Sequence, residues 1–170
     1  VTHRDREFLE LYRAHQGAVF RFCLHLSGAE DVANEVTQEV FLALLEKPAA
    51  FDPRRGSWEG YLLGVARNLM RRRFRVRPEV ELDESWPEPE AHGGLLAGLT
   101  REQAIDAVRQ AVASLPFGYR EAVVLCDLEE QSYEQAAQIL GCPVGTVRSR
   151  LFRGRGLLAA KLKPYAGSAV

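Results

Sequence analysis

The sequence predicts an all-α protein of two small helical domains joined by a flexible acidic linker, the C-terminal one containing a helix-turn-helix. Three observations carry that expectation. Apolar residues recur at helical spacing in several stretches and nowhere alternate with period two for long, so no sheet is expected. A stretch rich in Pro, Gly and acid interrupts this pattern midway along the 170-residue chain. Charge is segregated although the net is only −1. Six Arg and no acid lie between Arg67 and Arg77, then six acids and no Lys or Arg between Pro78 and His92. From Gln135 to Val170 there is again no Asp or Glu. The expected divisions are 1–75, 76–99 and 100–170, with a basic–acidic–basic layout that suits nucleic acid at both ends.

Residues from about 5 to 26 read as one amphipathic helix, bent near Gly17, that buries Phe8, Leu9, Leu11, Tyr12, Val19, Phe20, Cys23 and Leu26. Ser27-Gly28 breaks it. A second helix over about 30–46 turns Val32, Val36, Val40, Phe41, Leu44 and Leu45 inward. Pro48 and the segment from Phe51 to Gly56 form a loop by their Pro and Gly content. Ser57 caps a third helix from Trp58 to about Phe74, with Tyr61, Leu62, Val65, Ala66, Leu69 and Met70 at helical spacing. An exposed aromatic beside an arginine-rich helix suits single-stranded DNA, because guanidinium neutralises phosphate and rings stack bases. Phe51 in the loop and Asn68 on the helix could build a pocket for an extruded base. Trp58 and Tyr61 could equally be core, Phe51 less so because it sits among Pro, Asp and Arg.

Residues 76–99 carry Pro78, Pro87, Pro89, a Gly93-Gly94 pair and Glu79, Glu81, Asp83, Glu84, Glu88 and Glu90, too little apolar surface to fold alone. Thr100 then caps a helix with Gln103 at the box position, and Ile105, Val108, Val112 and Leu115 point inward. Pro116-Phe117-Gly118 turns the chain before a helix from Tyr119 to Leu128.

Ser132 and Gln135 make another capping box, Ala136, Ala137, Ile139 and Leu140 line one face, and Gly141 ends the helix in left-handed geometry. Cys142 and Pro143 open the next helix, with Pro at the first helical position. Two helices joined by so tight a turn form a helix-turn-helix, whose second helix lies in the DNA major groove. That helix carries Arg148, Arg150, Arg153 and Arg155, with Val144, Val147, Leu151 and Leu158 inward. Gly154 and Gly156 each weaken it by about 1 kcal/mol relative to Ala, so its end is expected to fray until DNA binds.

No catalytic constellation, metal site or cofactor motif emerges, and no enzyme is expected. Cys23, Cys126 and Cys142 lie far apart without a CxxC pair, and Cys23 and His25 point to different helix faces. Cys126 and Cys142 are expected to be buried structural thiols. A Walker-type phosphate loop is absent. No apolar run is long enough for a membrane span and no signal peptide is visible, so a cytoplasmic protein without membrane insertion is expected.

SYEQAAQILGCPVGTVRSRLFRGRGLL resembles the promoter-binding helix-turn-helix of bacterial sigma factors, in the extracytoplasmic-function group of the sigma-70 family. SLPFGYREAVVLCDLEEQ resembles that domain's earlier helices. ANEVTQEVFLALL resembles the helix by which sigma domain 2 docks on the β′ clamp helices of RNA polymerase, with Glu35 where the family usually has Asp. FDPRRGSWEGYLLGVARNLMRRRFR resembles the promoter-melting segment, with Tyr61 where Trp is common.

The resemblance implies an alternative sigma factor that binds core RNA polymerase, through the β′ clamp helices and the β subunit, and directs promoter-specific initiation. It assigns Glu35, Gln38, Glu39 and Leu42 to the polymerase interface. Phe51, Trp58, Tyr61, Asn68, Arg71 and Arg72 would serve −10 recognition and melting. Arg148, Ser149, Arg150, Phe152, Arg153 and Arg155 would face the −35 major groove, where Arg can pair with guanine. It further implies an anti-sigma factor as partner, and an acidic linker that threads the polymerase RNA channel or serves as a tether. Two rival readings are a stand-alone dimeric regulator of duplex DNA and a module whose basic faces bind an acidic protein.

Overall fold

The computed structural model describes residues 2–76 and 98–167, and these are helical with no strand among them. The chain divides into two compact units, Val1–Val76 and Arg77–Val170. The acidic residues Glu79 to Glu90, expected to form a linker, lie outside the described residues.

The first unit packs three helices against one another: α1 (His3–Ser27), α2 (Glu30–Glu46) and α3 (Trp58–Arg73). Helix α1 runs without interruption through Gly17. It stops at Gly28, whose φ of 70° is left-handed and whose N–H donates to the Leu24 carbonyl at 2.7 Å. Ser57 caps α3 as expected, its hydroxyl accepting from the Gly60 N–H. The core is Val19, Phe22, Cys23 and Leu26 of α1, Ala33, Val36, Val40, Phe41 and Leu44 of α2, and Leu62, Leu63, Ala66 and Met70 of α3.

The apolar pattern is thus right in period and wrong at some positions. Phe22 and Leu63 are fully buried though not expected to be, while Leu9, Tyr12 and Leu45 are exposed. For Leu9 and Tyr12 the cause is length. Helix α1 has 25 residues and α3 has 16, so α1 is longer by roughly 13 Å. Every buried residue of α1 lies from Val19 onward. Its first turns instead meet the end of α2, where Tyr12 packs edge-on against Phe41 with ring centroids 4.8 Å apart. Phe8, Leu9 and Leu11 line an open groove there with Leu44, Leu45, Pro48 and Trp58.

The second unit contains α4 (Arg101–Ala113), α5 (Phe117–Val123), α6 (Tyr133–Leu140) and α7 (Val144–Leu162). Helix α7 is its axis, packing on α4, α5 and α6. One cluster joins Leu115, Ala122, Val123 and Leu151, and another joins Ala107 and Ala111 to Leu162. Ile105, expected inside, is 40% exposed because α4 turns its alanine face to α7. Helix α5 starts at Phe117, earlier than the expected Tyr119, and Pro116 precedes it rather than forming a longer turn. Its continuation over Val124–Leu128 is a π turn, with the Glu129 N–H donating to the Val124 carbonyl at 2.9 Å.

Helix α6 follows the sequence closely. Ser132 and Gln135 form the reciprocal box, Ala136, Ala137, Ile139 and Leu140 are buried, and Gly141 has φ 65°. Pro143 is the residue before the first turn of α7, one position earlier than expected, and its carbonyl accepts from Thr146 and Val147. Helix α7 is continuous to Leu162, and Gly154 and Gly156 are buried. A Cβ on Gly154 would stand 2.7 Å from Val123 Cγ2 and 3.2 Å from the Tyr119 carbonyl, so the missing side chain lets α5 and α7 approach. Cys126 and Cys142 are half-buried rather than fully buried thiols, and desolvation, then Asp127, pushes the Cys126 thiol up, away from reactive thiolate.

Candidate nucleic-acid interface

Helix α7 sorts its arginines by position. At 3.6 residues per turn, Arg148, Phe152 and Arg155 fall on one stripe, and Val147, Leu151, Gly154 and Leu158 fall on another, about 100° around the helix. Arg148, Ser149, Phe152 and Arg155 are exposed, Phe152 at 54%, and Arg153 is half-buried. Arg150 is not on this surface. It is 6% exposed, because positions three before and four after it, Val147 and Gly154, are both interior. That corrects the expectation that Arg150 faces the groove. A charge goes inside only when it is compensated. Glu121, fully buried, lies in the same unit, and no other charged side chain among the described residues is buried.

Two exposed arginines are held by neighbours the sequence did not point to. Arg148 lies over the Tyr133 ring at 5.8 Å from its centroid, within cation–π range. Arg155 is gripped by Asp127 through Nε to Oδ2 at 2.9 Å and Nη2 to Oδ1 at 2.6 Å. These bonds raise the Arg155 guanidinium above its ordinary pKa against the cost of desolvation, and Tyr133 acts in the same direction. Ser149 donates to the Thr146 carbonyl at 3.0 Å, a local bond that orients its hydroxyl.

In the first unit, Phe51, Trp58 and Tyr61 come together as an aromatic cluster. Phe51 stacks on Trp58 with centroids 3.7 Å apart and 18° between planes, and Tyr61 meets both rings edge-on. All three are half-buried, between core and surface. Trp58, Tyr61, Asn68 and Arg72 follow one another along a stripe of α3, and Asn68 and Arg72 are exposed while Arg71 is half-buried.

Glu35, Gln38, Glu39 and Leu42 are all exposed on one stripe of α2, Leu42 at 57%. Arg73, at the end of α3, pairs with Glu35 and lies 3.8 Å from Glu39. Sequence spacing gives no hint of a pair 38 residues apart. No three His, Cys, Asp or Glu side chains gather as metal ligands among the described residues, and no helix there is long and apolar enough to cross a membrane.

Comparison with known proteins adds a second line. The pattern described as Sigma-70 region 2 matches residues 11–77, and that described as Sigma-70, region 4 matches residues 105–158. The chain is 38% identical over 162 residues to the ECF RNA polymerase sigma factor SigE of Mycolicibacterium smegmatis, covering 92% of this chain and 62% of that relative. It is 38% identical over 144 residues to the ECF RNA polymerase sigma factor EcfG of Rhodopseudomonas palustris, covering 83% and 77%. Among solved structures, the sigma factor RpoE in complex with the anti-sigma factor NepR from Bartonella quintana matches with a TM-score of 0.68 and 26% identity, over 96% of this chain and 98% of that one. CnrH in complex with the cytosolic domain of CnrY matches with a TM-score of 0.70 and 26% identity, over 94% and 90%.

Proposed function

This chain belongs to the extracytoplasmic-function group of the sigma-70 family, and we propose that it acts as an alternative sigma factor whose two units divide the work. Residues 1–75 act as sigma domain 2. Glu35, Gln38, Glu39 and Leu42 dock on the β′ clamp helices of core RNA polymerase, and their common exposed stripe supports that role. Phe51, Trp58, Tyr61, Asn68, Arg71 and Arg72 receive and hold the opened −10 strand. The clustered rings favour this, since an incoming base can stack on an aromatic set that is already ordered.

Residues 100–170 act as sigma domain 4 and read the −35 element as duplex. Arg148, Ser149, Phe152, Arg153 and Arg155 carry the contacts, and Arg150 supports the fold from inside. Residues 76–99 link the two. The protein works without catalytic chemistry of its own, in the cytoplasm, with core polymerase and promoter DNA as partners. An anti-sigma factor is a further partner, as the complex of RpoE with the anti-sigma factor NepR suggests.

The observation that carries this reading is the exposed stripe of Arg148, Phe152 and Arg155, with exposed Ser149 beside it, on the second helix of a capped helix-turn-helix. Run-off transcription on genomic fragments tests it. Core polymerase is expected to start at defined sites only when this chain is added, and the chain alone is expected not to shift duplex DNA. A specific shift without polymerase would make it a stand-alone regulator instead.

A further inference from the structure

We propose that Asp127 is a positioning residue for promoter reading, which fixes the Arg155 guanidinium at the surface of the helix-turn-helix so that it reads bases by direction rather than seeking phosphate by charge. The inference rests on the assignment of α7 to the −35 element.

The grip is two-pronged, and two parallel N–H···O bonds to one carboxylate fix the plane of a guanidinium as well as its place. Asp127 uses only part of what Arg155 offers. A guanidinium carries five N–H donors, and two are engaged by the carboxylate, so capacity remains for a base edge. The Arg155 side chain is still 52% exposed, on the same stripe as Arg148 and Phe152. Holding a long side chain in one rotamer before DNA arrives also removes ordering cost from the binding step.

The backbone under Asp127 is unusual in a way that serves this contact. Asp127 sits in the π turn Val124–Leu128, which keeps Val124 and Leu125 buried while Asp127 reaches Arg155, 28 residues away. Beyond the turn, Glu130 has a φ of 53°, a left-handed conformation rare for a residue other than Gly or Asn. Extra-residue turns of this kind recur at functional positions in helices.

Charge gives the proposal its distinctive signature. The Asp127–Arg155 pair is neutral as a unit, so Arg155 adds little to long-range attraction for DNA. Removing the carboxylate therefore has two opposite effects. Non-specific attraction rises, because a free cation now neutralises phosphate, and base discrimination falls, because its direction is no longer fixed. A merely structural defect would lower both.

The experiment uses holoenzyme assembled from core polymerase and the full chain, with promoters selected from a library randomised in the upstream element. A wild type that selects no upstream preference would sink the assignment of α7 itself, separately from this proposal. Given a preference, Asp127→Asn is expected to lose discrimination about tenfold at one base position. Its non-specific duplex binding is expected to gain about one more ion in salt slope. Asp127→Glu, which keeps the charge on a longer arm, is expected to retain the wild-type salt slope with intermediate discrimination. Arg155→Lys, which keeps the charge but loses the fork, is expected to show the same loss of discrimination as Asp127→Asn. Unchanged preference in Asp127→Asn overturns the proposal, as does a proportional loss of specific and non-specific binding.

Discussion

Each unit ends in a helix rich in arginine, and the two runs are handled differently. In α3 the residues Arg71, Arg72 and Arg73 are consecutive, so they fan around the helix at about 100° per residue and cannot share a face. One of them, Arg73, turns back onto the acids of α2. In α7 the spacing puts Arg148 and Arg155 on one stripe and sends Arg150 inside. Arginine density belongs to the sequence, whereas a basic face belongs to the fold, because internal carboxylates and helix phase decide which charges DNA can meet.

Substitutions test this contrast, and the strongest response is expected at Arg150. Truncating a side chain of this size inside the fold leaves a cavity, so Arg150→Ala is expected to destabilise the second unit by about 3 kcal/mol. Denaturation followed by circular dichroism measures this. A variant of wild-type stability with altered promoter preference would return Arg150 to the DNA surface.

Arg148→Ala is the counterpart from the outer stripe. It is expected to cost about 2 kcal/mol in promoter binding, confined to one base position, with stability unchanged. An equal loss on every promoter would move Arg148 to the phosphate backbone. Gly154→Ala comes next. Better helix propensity gains up to about 1 kcal/mol, but the new methyl meets Val123, a stiff β-branched side chain, and a backbone oxygen. Overpacking of this kind costs about 1–3 kcal/mol, so net destabilisation of about 1 kcal/mol is expected in the same denaturation measurement. A stabilised Gly154→Ala would mean that α5 and α7 separate at no cost.

The smallest effect belongs to the first unit. Arg73→Ala breaks an exposed ion pair, and a stability loss of about 0.5 kcal/mol or less is expected. Its mark should appear in assembly, because Glu35 and Glu39 are then left as like charges one turn apart. Affinity for core polymerase is expected to differ from wild type at low salt and to converge as salt rises. A difference that persists at high salt would mean that Arg73 shapes the docking surface by packing rather than by charge.

What could be read from the sequence divides along a physical line. The bounds of α2, the caps of α3, α4 and α6, and the turn at Gly141 were legible because each is set by residues within a few positions. Arg150 looked like its neighbours because only one of its two flanking interior positions, Val147, is apolar enough to mark the face, while Gly154 carries no side chain to do so. Asp127 and Arg73 act on partners 28 and 38 residues away, beyond the reach of periodicity. Leu9 and Tyr12 obey helical spacing and are exposed all the same, since α1 outruns the helix that would cover them.

Three helices, α1, α4 and α6, open with the same reciprocal device, Thr2 with Asp5, Thr100 with Gln103 and Ser132 with Gln135. Its consequence is one of timing. Each box closes within four residues, so a helix start is specified before any distant part of the chain has arrived. Helix nucleation is the costly step of helix formation, and side chains that satisfy the first N–H groups lower that cost locally. Helical domains rich in such short-range contacts fold in about microseconds to milliseconds. The helix-turn-helix, with its box, its left-handed glycine and its short α6, is therefore expected to take shape early, and the 28-residue bridge from Asp127 to Arg155 to close late. On that ordering, the recognition helix forms before the contact that fixes its outer arginine, and a refolding chain passes through a state with the right shape and an unaimed guanidinium.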